Sequence, residues 1–203
     1  MKDWKITVSR EALKVEGVQL AAPQLVYNGR SVPKSADWGR EIRDAKLIDA
    51  RVLSDWILLL TSRDRSNAHD LVNNMRQVGE PIGMRVKDPQ YISLRDDHIE
   101  DYLEEIRRNV RPNNRNDGTQ MVVCILPTNK KDRYDAIKLL CCHELGIPSQ
   151  CVVGKTLARK QSLLSVCTKI IQQINCKLGG QLWKIDNVRS SCQLVTLCLT
   201  EFE

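Results

Sequence analysis

Phenylalanine occurs once in the 203 residues, and aromatic residues together make up 4% of the chain. The core must therefore be built from aliphatic side chains and thiols. No run of about 18 apolar residues occurs, which excludes a membrane span readable from hydropathy. The start, "MKDWKITVSR", lacks the apolar stretch of a signal peptide, so the expectation is an intracellular protein with no membrane partner. Neither a G-x-G-x-x-G nor a Walker-type loop is present, which argues against a small nucleotide-dependent enzyme. No C-x-x-C spacing or nearby histidine makes a zinc site, and His143 reads as a helix-surface residue. The eight cysteines (124, 141, 142, 151, 167, 176, 192 and 198) could suggest a disulfide framework. Most sit inside apolar runs such as "MVVCIL" and "SQCVV", however, the pattern of buried thiols in a reducing compartment.

What is present is a local excess of positive charge. The formal net charge is +6, yet residues 127–184 hold ten Lys or Arg against three acids, and the rest of the chain is close to neutral. A solvated charged face is the bland reading of such an excess; an anionic partner is the other.

Residues 1–50 mix short strand-like pieces ("KITVS", "QLVYN") with turn signals at Gly17, Pro23, Asn28-Gly29 and Pro33, and read as an extended arm. Alternation follows from residue 51. "WILLLT" (56–61) reads as a buried strand, "SNAHDLVNNMRQVG" as a helix with Ala68, Leu71, Val72 and Met75 on one face, and "IGMRV" (82–86) as a further strand. "RDDHIEDYLEEIRRNV" places Ile99, Tyr102, Leu103, Ile106 and Val110 at helical spacing, with acids early and arginines late, as the helix dipole favours. The loop "RPNNRNDGTQ" ends it. The second half repeats the scheme: strand "MVVCIL" (121–126), a basic loop, a helix from about Arg133 to Leu145, strand "SQCVV" (149–153), and a last helix. That helix carries Leu163, Leu164, Cys167, Ile170, Ile171, Ile174 and Leu178 in one stripe and is stopped by Gly179-Gly180. Strand–helix alternation predicts an α/β fold, a Rossmann-like domain over 51–186 with a parallel sheet covered on both faces.

Such sheets bind ligands beyond the carboxyl ends of their strands, which selects the loop Pro127–Asp132 after "MVVCIL". Asp132 is expected to cap the next helix, whose first-turn N–H groups would favour a phosphate. Tyr134 and Lys138, four apart, share one helix face and offer a ring for a base and an ammonium for a phosphate. The bland alternative is a half-buried ring beside a solvated lysine. Gln150 opens the next strand, where it could equally be an edge residue, and Lys177 closes the last helix.

As an ordered set these residues carry a resemblance. "RYDAIK", "IPSQCVV.KTL", "TKI..Q.NCKLGG.LW.ID" and the upstream "ADWGRE" resemble the Piwi branch of the Argonaute family over residues 1–186, as a linker followed by a MID domain. The resemblance implies a Rossmann-like domain that holds the 5′-phosphate and first base of a small guide RNA (a piRNA). Tyr134 would stack on the first base and touch phosphate, while Lys138, Gln150 and Lys177 bind phosphate oxygens. The loop "LPTNKKDRY", with Thr128 and Asn129, would correspond to the family's nucleotide-specificity loop and imply a 5′ uridine. Gln173 stands where the Ago branch has a second lysine, so a Mg2+ ion is a candidate to bridge the phosphate, with no cofactor required.

After "LWKID" the family continues into an RNase H-like domain, whereas residues 187–203 diverge; the expectation is a truncated, non-catalytic product. The resemblance further implies RNA-mediated transposon silencing in the germline, including spermatogenesis, and a place in cytoplasmic germ granules or the nucleus. A monomer, with other silencing proteins as partners, is expected. The rival reading is a protein-interaction module that keeps the fold and binds little RNA.

Overall fold

The computed structural model describes residues 11, 12, 14, 24–27, 30–33, 45–111 and 118–186. The "KITVS" piece, Gly17, Pro23, Asn28-Gly29, "ADWGRE", Cys192, Cys198 and the 187–203 tail lie outside the described residues.

In chain order the elements are β1 (Gln24–Tyr27), β2 (Arg30–Pro33), β3 (Trp56–Thr61), α1 (Arg65–Ile82), β4 (Gln90–Leu94), α2 (Ile99–Asn109), β5 (Met121–Leu126), α3 (Lys131–Lys138), a π-helical turn (Leu139–Glu144), β6 (Ser149–Val153), α4 (Gly154–Leu157), α5 (Leu163–Lys177) and β7 (Lys184–Asp186). Strands β4-β3-β5-β6 form one sheet in that order, and every neighbouring pair is parallel. All six residues of both β3 and β5 are buried, as central strands with both faces covered require, and this is why they read as unbroken apolar runs. Successive side chains point to opposite faces. Leu58, Leu60, Val123 and Ile125 meet Leu71 and Met75 of α1 and Ile171 and Ile174 of α5. Ile57, Leu59, Val122 and Cys124 meet Tyr102 and Ile106 of α2, Ile137 of α3 and Leu140 of the π turn.

Four sequence expectations are corrected. The strand predicted at "IGMRV" is not one: α1 runs to Ile82 and closes on Gly83, whose φ of 93° suits only a residue without a Cβ. The Gly83 and Met84 amides donate back to the Glu80 and Gly79 carbonyls at 3.1 and 2.9 Å, and only Val86 makes a bridge, to Leu53. The strand is instead β4, "QYISL", in which Ile92 and Leu94 are buried while Gln90, Tyr91 and Ser93 are exposed, the alternation of a half-covered edge strand. The helix expected to reach Leu145 is α-helical only to Lys138 and then widens into the π turn, where the Leu145 amide donates to the Leu140 carbonyl at 2.9 Å. Leu164 is 46% exposed, off the buried stripe of α5. Finally, Asp132 does not cap α3: the N-cap is Lys130, with no side-chain cap bond, and Asp132 lies exposed in the first turn.

The described residues before 51 join β7 and the C-terminal end of α5. β1 pairs antiparallel with both β2 and β7, Leu25 and Tyr27 are buried, and the Tyr27 ring lies 6.2 Å from that of Trp183. Asn175 in α5 is fully buried: its Oδ1 accepts from the Arg51 amide at 2.8 Å, and its Nδ2 donates to the Asp49 carbonyl at 2.9 Å. Both ends of this amide are satisfied by backbone, which pins residues 49–51 to the end of α5. Among the described residues no helix is long and apolar enough to cross a membrane, and the six described cysteines are free thiols.

Candidate nucleic-acid interface

Among the described residues β6 pairs only with β5, which leaves its outer side as an open sheet edge, flanked by α3 with the π turn and by α5. Two lysines close on the start of that edge. Lys138 Nζ donates to the Ser149 carbonyl at 2.7 Å and to Ser149 Oγ at 2.9 Å. Lys177 Nζ donates to the same carbonyl at 2.9 Å and to Gln150 Oε1 at 2.6 Å. Gln150 Nε2 in turn donates to Gln173 Oε1 at 3.2 Å and to the Cys151 carbonyl at 3.3 Å. Sequence reasoning named Lys138, Gln150, Gln173 and Lys177, and the fold brings all four into one network.

Local structure explains each placement. Lys138 ends α3 and Lys177 ends α5, where the helix dipole favours a cation. Gly179, with φ of 81°, stops α5 two residues past Lys177. The π turn begins directly after Lys138; an insertion of this kind is frequent at functional positions because it redirects the chain without ending the helix. Arg133 fixes the first turn of α3: its Nη2 donates to the Asp97 carbonyl, its guanidinium lies 3.5 Å from the Asp97 carboxylate, and it sits 5.8 Å over the Tyr102 ring. Tyr134 is 45% exposed, and Lys138 Nζ lies 5.5 Å from its ring centroid, a cation–π contact that joins the ring to the lysine pair. Thr128 and Asn129 are exposed in the loop between β5 and α3.

The network lies at the amino end of β6, not beyond the carboxyl ends of the strands as the general rule for such sheets suggested. The α3 N-terminus is at the other end of that helix, about 10 Å from Lys138 at 1.5 Å per residue. The helix-end amides and the lysine pair, merged in the sequence reading, are thus separate features.

Neither lysine forms an ion pair among the described residues; their partners are carbonyl, hydroxyl and amide oxygens. Burial, and then the neighbouring Lys138 charge, pull the Lys177 ammonium down to about 8. The fold therefore holds Lys177 where charge is disfavoured unless an anion arrives. Cys151 is also lowered, first by its hydrogen bond with Cys124 and then by the two lysines, while Cys124 is pushed up.

Ser149 was missed by the sequence reading although it precedes Gln150; its carbonyl and hydroxyl hold both ammonium groups in register. Cys142, one of the eight cysteines, is exposed with its Sγ 3.9 Å from Ser149 Oγ. A Mg2+ ion beside Gln173 would find two amide oxygens already accepting hydrogen bonds, two ammonium groups, and no carboxylate in the network. Magnesium prefers one or two carboxylates and several waters, so these side chains do not form such a site by themselves.

A family model described as "Piwi domain" matches residues 121–199. The chain is 38% identical over 189 residues to Piwi-like protein 1 of Gallus gallus, covering 92% of this chain and 21% of that protein. It is 37% identical over 187 residues to Protein argonaute-3 of Drosophila melanogaster, covering 91% and 21%. The chain thus spans about a fifth of the length of these relatives. Among solved structures, the crystal structure of Drosophila Piwi matches with a TM-score of 0.74 at 26% identity, over 91% of this chain and 26% of that one. The Arabidopsis thaliana AGO5 MID domain matches with a TM-score of 0.52 at 29% identity, over 67% of this chain and 96% of that one. By sequence and by the arrangement of its parallel sheet, this chain belongs to the Piwi-type Argonaute family.

Proposed function

We propose that this chain holds the 5′-phosphate and first base of a small guide RNA at the open edge of β6, as part of an RNA-directed silencing protein. The single observation that carries this reading is the convergence of Lys138 and Lys177 on Ser149 with no carboxylate among the described residues to neutralise them. Two ammonium groups held on neutral acceptors keep charge and hydrogen-bonding capacity for an incoming anion, and a terminal phosphate supplies both. In this reading the lysines take phosphate oxygens, Gln150 and Gln173 orient them, and Tyr134 turns its exposed ring to the first base. Thr128 and Asn129, exposed on the preceding loop, stand where a base edge would be read, with uridine the base that the family resemblance favours.

The chain's part in silencing is to hold the guide end, in the germline cell compartments where such proteins act, and we assign it no cleavage chemistry. The acids Asp96, Asp97, Glu100 and Asp101 lie before α2 or in its first turn, and Asp97 and Asp101 are engaged by Arg133 and Arg95.

Titration with UMP, AMP and uridine, followed by NMR, tests the reading. UMP is expected to bind with shifts at Tyr134, Lys138, Ser149 and Lys177, AMP more weakly, and uridine least. Equal binding of uridine and UMP would contradict it.

A further inference from the structure

On the opposite edge of the sheet lies a cleft that the lysine site does not use. It is lined by Leu60 of β3, Arg65 and His69 of α1, and Tyr91 and Ser93 of β4, with a volume of about 200 Å3. Arg65 and His69, four apart, share a face of α1, and Tyr91 and Ser93, two apart, share a face of β4. The His69 and Tyr91 rings lie 5.3 Å apart with an interplanar angle of 35°, and Tyr91 is 39% exposed. Arg65 is exposed and, like Arg63, Arg85 and Arg159, has no ion pair among the described residues, whereas Arg76, Arg95, Arg107, Arg108 and Arg111 all meet carboxylates. Among the described residues β4 pairs only with β3, and no further strand covers this side.

We propose that this cleft is a second RNA contact, in which one unpaired nucleotide stacks its base on Tyr91 and places a backbone phosphate against Arg65. The choice of RNA as ligand rests on the reading given above; the site itself does not. A volume of about 200 Å3 falls below the roughly 300 to 1,000 Å3 that encloses a drug-sized ligand, so one planar ring fits better than a whole cofactor. A ring pair beside an unpaired guanidinium and a serine hydroxyl meets the two demands of single-stranded RNA, stacking and phosphate neutralisation, without selecting a base. Edges β4 and β6 are three strand spacings apart, about 14 Å. One nucleotide therefore cannot occupy both sites, and the two can be broken separately.

The test uses this chain, a short oligouridylate with a 5′-hydroxyl, and UMP, with NMR of the His69 and Tyr91 rings and fluorescence polarisation as readouts. The oligouridylate is expected to move both ring signals. Tyr91→Ala and Arg65→Ala should each weaken it roughly 5- to 100-fold, the range for losing one stacked base or its partner, while Tyr91→Phe keeps most of the affinity. Lys138→Ala with Lys177→Ala should abolish UMP binding and leave the ring shifts in place. Unchanged oligouridylate affinity in both Tyr91→Ala and Arg65→Ala, with both variants folded by circular dichroism, overturns the proposal. So does the loss of the ring shifts in the double lysine variant, or a β4 edge that responds to an extended peptide and not to RNA. Ring shifts with oligouridylate in a protein that fails to bind UMP would support this cleft while contradicting the guide-end reading.

Discussion

Around α2 the cations of this protein are paired: Arg95 lies 3.2 Å from Asp101, Arg108 2.5 Å from Glu105, and Arg107 3.2 Å from Glu144. At the β6 edge, Lys138 and Lys177 meet only neutral oxygens, and they share one of them. The first region is a mixed, solvated surface whose ion pairs contribute about 0 to 1 kcal/mol each. The second costs stability, since burial and mutual repulsion lower the Lys177 ammonium toward neutral pH. A cation that the fold neither neutralises nor leaves in open water marks the place where a ligand completes the charge balance.

The largest expected effect breaks the unpaired side. Replacing Lys138 and Lys177 together with alanine should weaken binding of a 5′-phosphorylated RNA by roughly 2 to 4 kcal/mol, the loss of charge-assisted hydrogen bonds discounted for solvent. Thermal unfolding of Lys177→Ala alone should show little loss of stability, because burial disfavours that charge in the folded state; a sharp fall in Tm would make this lysine scaffold instead. Asn175→Ala should do the reverse. It leaves the Arg51 amide without its partner and takes one of two donors from the Asp49 carbonyl, which keeps the Gln181 amide, and is expected to cost about 1 to 3 kcal/mol in denaturant unfolding, with ligand affinity unchanged where the variant is folded.

Tyr134→Ala should lose about 1 to 3 kcal/mol of affinity through the missing stack, and Tyr134→Phe much less; equal damage from both would assign the role to the hydroxyl. The pH dependence sharpens the contrast further. Lys177 is lowered from 10.5 to about 8, so the unfolded chain binds more protons than the folded one between those values, and the stability of the free protein should rise with pH across that window. Phosphate affinity should move the other way, falling as pH climbs through about 8 because Lys177 loses its charge. It should also fall below about 6, where the phosphate takes up its second proton. Lys177→Arg should delay the alkaline decline, and calorimetry over pH 5 to 10 would measure both limbs. Chelation with EDTA is expected to change affinity least, since the network supplies no carboxylate for an ion; a drop of tenfold or more would require a metal that the ligand brings with it.

Much of this contrast could be read without coordinates. β3 and β5 were legible because a strand buried on both faces has no polar position to blur it, β6 from its short apolar run after Ser149 and Gln150, and α2 and α5 because their apolar stripes are long. β4 was missed because only two of its five residues are buried and a more apolar run, "IGMRV", lay just upstream; Gly83 spends that run on a helix end. The site residues Tyr134, Lys138, Gln150 and Lys177 came from an ordered pattern and Gln173 from the family resemblance, and the fold gathers Lys138, Gln150, Gln173 and Lys177 around Ser149 with the Tyr134 ring beside Lys138. Ser149 itself was invisible, because it acts largely through a backbone carbonyl that any residue has. The Asp132 cap failed for a related reason: an acid near a helix start satisfies the dipole equally well from within the first turn. The expected position of the ligand shifted from the carboxyl ends of the strands to a sheet edge, because two helix C-termini, and not a helix N-terminus, deliver the cations.

The most direct test of the central claim compares two RNAs that differ only in the 5′ end, one phosphorylated and one with a hydroxyl, bound to the unaltered chain and to the double lysine variant. Phosphorylation is expected to tighten binding to the unaltered chain by roughly 2 to 4 kcal/mol, a gain that nearly vanishes in the variant. Equal binding of the two RNAs to the unaltered chain, or a phosphate gain that survives the loss of both lysines, would contradict it.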